Sequence, residues 1–334
     1  MYLFFLLAIF YSCTGEDLFY DAIFQNIDRT IDAPPAGPFA PMTPDSIPSE
    51  QTDTPVGTGC TTNGGKANES GLKTWCWNDI TLPTYSGKKG VSFSNGQLVI
   101  DSECNQNALS IVDGQLHFFV DPINPPVDKS WCSRDFNMRA EVRTRPWDVR
   151  NPLGTEEWFG WSYRFGDNYV IDQHNLWKFF QVYPGPVGLS SQISFEIIHK
   201  DQFKGHPAGE IYFLNSADTN KYNPTGVIPK AGETLDIVIN VIWRDSSNGF
   251  LKVWINDNIV YEKQVATTSP DQPWGGNAKW GIYKRAWENA GQVQKSLDQG
   301  ITQLKTSIGN LRMITRFPGD VNYGKNSYSE VAPR

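Results

Sequence analysis

Basic residues are in short supply in this 334-residue chain, where 29 Lys and Arg stand against 36 Asp and Glu for a formal charge of −7. That balance argues against a nucleic-acid binder, whose affinity needs a basic face to displace counterions from phosphates. Histidine and cysteine are also few, four and five in number. No CxxC or HxxxH pair occurs among them, and because zinc ligands normally come closely spaced, a zinc site is disfavoured. Nor is there an oxygen-rich loop of the EF-hand kind. The chain shows no repeat of fixed period and no second core-sized block, so one large folded domain is the economical expectation. Its N-terminal apolar run, Tyr2 to Tyr11, is too short to span a bilayer, which takes about 20 residues.

That run, YLFFLLAIFY, has the size of a signal-peptide core, although no Lys or Arg precedes it. The next residues, Ser12-Cys13-Thr14-Gly15-Glu16-Asp17, resemble a bacterial lipoprotein processing site with Cys13 as the lipidated first residue. An ordinary signal peptide cleaved nearby is the alternative. Residues 1–13 therefore read as a leader, and 14–58, rich in Pro, Thr and Ser, as a linker. Residues 59–334 remain for the folded domain. The expectation is an exported bacterial protein, secreted or held at the cell surface or outer membrane through a lipid on Cys13. Cys60, Cys76, Cys104 and Cys132 are then an even set in an exported chain, which predicts two disulfides with three connectivities open.

Aromatics are plentiful, with 12 Trp, 13 Tyr and 19 Phe beside 29 Gly and 22 Pro, a composition of short strands and tight turns. Apolar alternation recurs in SFSNGQLVID, LSIVDGQLHFFVD, FNMRAEVRTR, WFGWSYRF, LWKFFQVY, ISFEIIHK, LDIVINVIW, FLKVWIND, IVYEKQVA, AKWGIYKR and LRMITRF. Asn-Gly, Asp-Gly and Asn-Asp turns separate several of these segments, which predicts an all-β, antiparallel sandwich. One stretch is helix-like: from Trp287 to Lys305, Val293, Leu297, Ile301 and Leu304 recur at helical spacing.

Three strand segments carry chemistry on one face. In Met138 to Arg143, alternation puts Arg139, Glu141 and Arg143 on one side and Met138, Ala140 and Val142 on the other. Taken alone, such a face is as readily a solvated sheet surface as a groove in which arginine forks grip carboxylates or sulfates. In Trp177 to Pro186, Gln181 and Tyr183 share a face just before a turn. In Lys279 to Arg285, Lys279, Gly281, Tyr283 and Arg285 share a face, and the glycine is read as room for a bulky ligand.

Together these segments resemble the β-jelly-roll polysaccharide lyases, the group of alginate, glucuronan and heparin lyases. RAEVR is similar to their RTELR-type strand, FFQVYPGP to their Gln-x-His strand and KWGIYKR to their KxGxY strand. The closing GDVNYGKNSYSEVAPR is similar to the end of heparin-lyase-type members. The family's catalytic His is replaced by Tyr183, which leaves the base open. The resemblance implies a jelly-roll, concanavalin-like sandwich with a concave groove, a monomer acting on an acidic uronate-containing polysaccharide by β-elimination. Ulvan ranks first as substrate, then alginate or glucuronan, then heparin-type chains. It requires no cofactor and allows calcium.

Such chemistry removes the C5 proton of a uronate, which needs the neighbouring carboxylate neutralised so that charge can pass onto it. Gln181 and an arginine such as Arg139 suit that task. A tyrosine can transfer the protons if nearby cations lower its pKa from about 10. Tyr283 is the first candidate as acid and also as base, with Tyr183 and His199 as alternatives. Arg139, Arg143, Lys279 and Arg285 are the candidate substrate-binding cations. A sandwich glycoside hydrolase would place two carboxylates at defined separations, often as ExDxxE on one strand, and no such string occurs. A non-catalytic sugar-binding module would suit the tryptophans but would not need Tyr283 set between Lys279 and Arg285.

Overall fold

The computed structural model describes residues 60–63, 68, 70–84, 90–102, 107–128, 132, 134–144, 150–185, 191–200 and 202–333. The leader, the linker, Cys13 and Cys104 lie outside the described residues. Tight turns form where the sequence supplies residues that tolerate positive φ. Asp113 and Gly114 (φ 49° and 72°) and Asn256 and Asp257 (φ 50° and 63°) turn two hairpins, as the Asp-Gly and Asn-Asp pairs predict.

In chain order the strands are β1 (Leu72–Trp75), β2 (Val91–Phe93), β3 (Leu98–Asp101), β4 (Leu109–Val112), β5 (Gln115–Val120), β6 (Arg139–Thr144) and β7 (Asn151–Pro152). There follow β8 (Glu156–Phe165), β9 (Trp177–Tyr183), β10 (Ile193–Ile197), β11 (Ile211–Asn215), β12 (Tyr222–Pro224) and β13 (Thr234–Ile242). The last are β14 (Phe250–Ile255), β15 (Asn258–Gln264), β16 (Trp274–Gly275), β17 (Asn277–Tyr283), β18 (Leu304–Ile308) and β19 (Leu311–Arg316). One sheet runs β15-β14-β13-β8-β18-β5-β4, with β19 pairing both β8 and β1. The other runs β12-β11-β10-β9-β17-β6-β3-β2. The fold is an antiparallel β-sandwich, as the alternation predicted.

Aromatic side chains from both sheets fill the space between them. Trp161 of β8 stacks on Phe180 of β9 at 4.7 Å and meets Trp280 of β17 edge-on at 6.1 Å, and all three are fully buried. Phe179 and Phe195 stack in parallel at 5.2 Å. Such pairs each add about 0.5–1.5 kcal/mol beyond the area they bury.

The helix expected from Trp287 to Lys305 is much shorter. A 3₁₀ turn covers Arg285–Glu288, the α-helix spans only Ala290–Leu297, and β18 begins at Leu304. Gly300 at φ 77° ends the helical segment, so Ile301 and Leu304 reach the core from a loop and a strand. Alternation also missed β1, β7, β11, β12, β16 and β18. Of these, β11 is buried at every position, so it carries no polar alternation to read.

Candidate functional site

Three adjacent strands in the middle of the eight-stranded sheet, β9, β17 and β6, bring the sequence motifs side by side on its outer face. Lys279 is the cross-strand partner of both Gln181 and Arg143, and Tyr283 of both Lys178 and Arg139. Gln181 continues the first row to Ser194 on β10, and Lys178 continues the second to Glu196. Two β-bulges make this possible. Register slips between Phe195 and Glu196 against β9, and again between Trp280 and Tyr283. In β9 both Phe179 and Phe180 are buried, so Lys178 and Gln181, three residues apart, emerge on the same face.

Gln181 is held at both ends. Its Nε2 donates to Glu141 Oε1 at 2.8 Å, and its Oε1 accepts from the Ser191 hydroxyl at 2.7 Å. An amide nitrogen has two hydrogens, so the second is available to another acceptor. Asp101 at the end of β3 gathers the cations: Lys279 Nζ lies 3.0 Å from it, Arg139 Nη1 3.7 Å and Arg143 Nε 3.8 Å. Arg139 Nε also lies 3.4 Å from Glu141 Oε2. Beyond Gln181, Lys178 Nζ sits 3.0 Å from Glu196 Oε1, which in turn accepts from the Ser194 hydroxyl. Four basic groups thus face three carboxylates, an arrangement that keeps a positive excess in an acidic chain.

Burial dominates the electrostatics here. Desolvation pushes the Glu141 carboxyl up from its ordinary value, against the pull of Lys279 and Arg139. It likewise brings the Lys279 ammonium down, against the opposite pull of Asp101 and Glu141. For both groups the shift runs toward the neutral form, so burial outweighs the pull of the opposite charges around them.

Tyr283 is half-buried, and the Arg139 guanidinium lies over its ring, 4.2 Å from the centroid. Tyr183, at the other end of the face, has Lys279 Nζ 5.2 Å from its ring centre. Two expected members stand apart. Arg285 lies past the end of β17, in the 3₁₀ turn, where its Nε is 3.4 Å from Glu288. His199 follows β10 five residues after Ser194, roughly 16 Å along the strand from the Gln181 row, and its Nδ1 contacts the Lys200 carbonyl.

Gly281 serves a purpose other than making room for a ligand. A Cβ there would come within 2.1 Å of the Ala140 carbonyl oxygen and 2.9 Å of Phe118, so the glycine is needed for close packing and for its φ of 136° at the bulge. Sequence reasoning also missed Asp101, Lys178, Ser191, Ser194 and Glu196. Asp101 had a legible signal, an acid closing the otherwise apolar LVID segment in which every residue is buried. Cys60 pairs with Cys76, and Cys132 is also disulfide-bonded. Among the described residues no three His, Cys, Asp or Glu side chains converge as a metal site.

A family model described as polysaccharide lyase matches residues 66–303. Among solved structures, the chain is similar to an endo-β-1,4-glucuronan lyase from the fungus Trichoderma reesei, with 16% identity over 67% of this chain and 90% of that one and a TM-score of 0.44. It is also similar to an alginate lyase from Alteromonas sp. 272, with 14% identity over 67% and 96% of the two chains and a TM-score of 0.45. No curated protein matches it.

Proposed function

Because the chain belongs to the polysaccharide lyase family, we propose that it cleaves an acidic, uronate-containing glycan by β-elimination on the outer face of the eight-stranded sheet. The observation that carries this reading is the row of Gln181, Lys279 and Arg143 beside the row of Lys178, Tyr283 and Arg139. Gln181, oriented by Glu141 and Ser191, gives its second N–H to the substrate carboxylate, and Arg139 and Lys279 stabilise the charge that builds there. Tyr283 takes the C5 proton and returns one to the departing O4 as the C4–O4 bond breaks. The products are a 4,5-unsaturated uronate end and a new hydroxyl end. Ulvan is the first-choice substrate, followed by alginate or glucuronan and then heparin-type chains. Export, with or without a lipid on Cys13, suits an enzyme that meets such polymers outside the cell.

The test is an ultraviolet assay for unsaturated ends over a panel of ulvan, alginate, glucuronan and heparin. Product should appear with at least one of them, and binding should weaken as salt rises. Reducing ends without unsaturation would identify hydrolysis instead, and preferential binding of neutral glycans would overturn the substrate class.

A further inference from the structure

The outer face does not stop at Lys178 and Glu196. Glu196 is the cross-strand partner of Tyr212 on β11, and Leu214 of Tyr222 on β12, so the same face continues toward the sheet edge as an aromatic surface. Phe203, from the loop between β10 and β11, lies flat on Tyr212 with ring centres 4.5 Å apart and planes 10° apart. It also meets Tyr222 at 5.1 Å. His206 packs edge-on against Tyr212 at 5.4 Å and is itself held by Glu210 at 2.8 Å. The loop is thus folded back onto the sheet. Tyr212 is covered, while Phe203 and Tyr222 stay half-exposed.

Among the described residues, the exposed charges that flank these rings in sequence are basic. The nearby acids Glu210 and Asp218 are engaged by His206 and Lys263, respectively. Lys200, Lys204 and Lys221 are exposed and make no ion pair among the described residues. Half-exposed rings offer a flat apolar surface for the C–H face of a sugar, and adjacent ammonium groups suit its carboxylate or sulfate.

We propose that Phe203 and Tyr222, flanked by Lys204 and Lys221, form a distal subsite for the same acidic polysaccharide whose cleavage is assigned to the Tyr283 region. The proposal rests on that reading for the identity of the occupant. From β17 to β12 is four inter-strand steps, about 19 Å, a span that only a chain of several sugars covers. The subsite therefore grips polymers and is out of reach of the shortest fragments bound at Tyr283.

The test compares Phe203→Ala/Tyr222→Ala with Lys204→Glu/Lys221→Glu, the second pair being surface changes that spare the stacking. Binding of ulvan, alginate and glucuronan polymers, and of disaccharides cut from them, is measured at low salt, with thermal unfolding as the folding control. Both variants should bind the preferred polymer at least about fivefold more weakly, and bind the disaccharide as the unmodified protein does. Polymer binding unchanged in Lys204→Glu/Lys221→Glu, equal losses on polymer and disaccharide, or no polymer binding by the unmodified protein would each overturn the subsite. Cleavage is scored separately, so a failure to form unsaturated ends would sink the elimination chemistry while the binding comparison still decides the subsite.

Discussion

Arg139 and Tyr283 are direct cross-strand partners on β6 and β17, and the guanidinium of the first covers the ring of the second at 4.2 Å. The stack fixes the ring without using its hydroxyl. Replacing Tyr283 with Phe therefore keeps the packing and removes only the group assigned to proton transfer. Turnover should fall by at least about 10²-fold with substrate affinity nearly unchanged. Near-normal elimination in Tyr283→Phe, together with its loss in Tyr183→Phe or His199→Ala, would move the proton-transfer role away from Tyr283.

Gln181 is assigned to neutralise the substrate carboxylate, so Gln181→Ala should cost about 10²–10³-fold in turnover, the size seen when one preorganised donor to a developing oxyanion is removed. The Ser191 hydroxyl donates to Gln181 Oε1 and accepts from Lys178 Nζ at 3.4 Å, and its part is to hold the amide in one orientation. Ser191→Ala should consequently lower kcat by less than Gln181→Ala and leave KM alone, whereas Ser191→Thr, which keeps a hydroxyl, should restore part of the loss. An effect confined to thermal stability would assign Ser191 a packing role.

The Cys60–Cys76 bridge closes a loop with a sequence separation of 16 just before Trp77, a fully buried residue whose indole N–H donates to the Gly309 carbonyl. Closing a loop of that size contributes about 3 kcal/mol by limiting the unfolded chain. Cys60→Ser/Cys76→Ser should lose about that much in urea unfolding. Because the bridge lies on the nine-stranded sheet's side, at β1, turnover below the unfolding transition should be unchanged. An unaltered unfolding midpoint would show that the bridge does not hold this segment.

Much of the sandwich was legible because its strands alternate cleanly and its hairpins use Asp-Gly and Asn-Asp pairs. What escaped was local irregularity. Strict alternation puts Lys178 on the face opposite Gln181, and only the bulge that buries Phe179 and Phe180 together brings the lysine round. Arg285 shows the complementary limit, since the strand ends at Tyr283 and Arg285 opens the 3₁₀ turn that follows it, where strand alternation no longer sets the face. Ser191 and Glu196 acquire their roles through pairing with residues 10 and 18 positions away in sequence, and such long-range neighbours leave no local signal. Helical spacing misled between Trp287 and Lys305 because a buried loop and a strand happened to place Ile301 and Leu304 in register with a helix that ends at Leu297.

Directly after Tyr283, Lys284 is wholly buried, with its Nζ 2.8 Å from Asp172 Oδ2 and donating to the Asn175 carbonyl. Asp172 also accepts from the Ser296 hydroxyl and the His174 amide, so the pair ties the end of β17 to the loop before β9 and to the helix. Burial alone would raise the Asp172 carboxyl, but the Lys284 ion pair and these hydrogen bonds overcome it and bring its pKa down to about 2. A carboxylate whose folded pKa lies below its unfolded value, here 3.8, contributes stability that is complete above about pH 4 and is lost as pH falls through about 2. Asp172→Asn should remove that acid-side dependence and cost about 3–5 kcal/mol near neutral pH, because it leaves Lys284 buried without its counter-charge. Asp172→Asn/Lys284→Met should recover much of the loss, since methionine fills a similar space without a charge. If Asp172→Asn instead kept both the stability and the acid-side slope of the unmodified protein, measured by urea unfolding between pH 2 and 7, the buried pair would not be what anchors the chain beyond Tyr283.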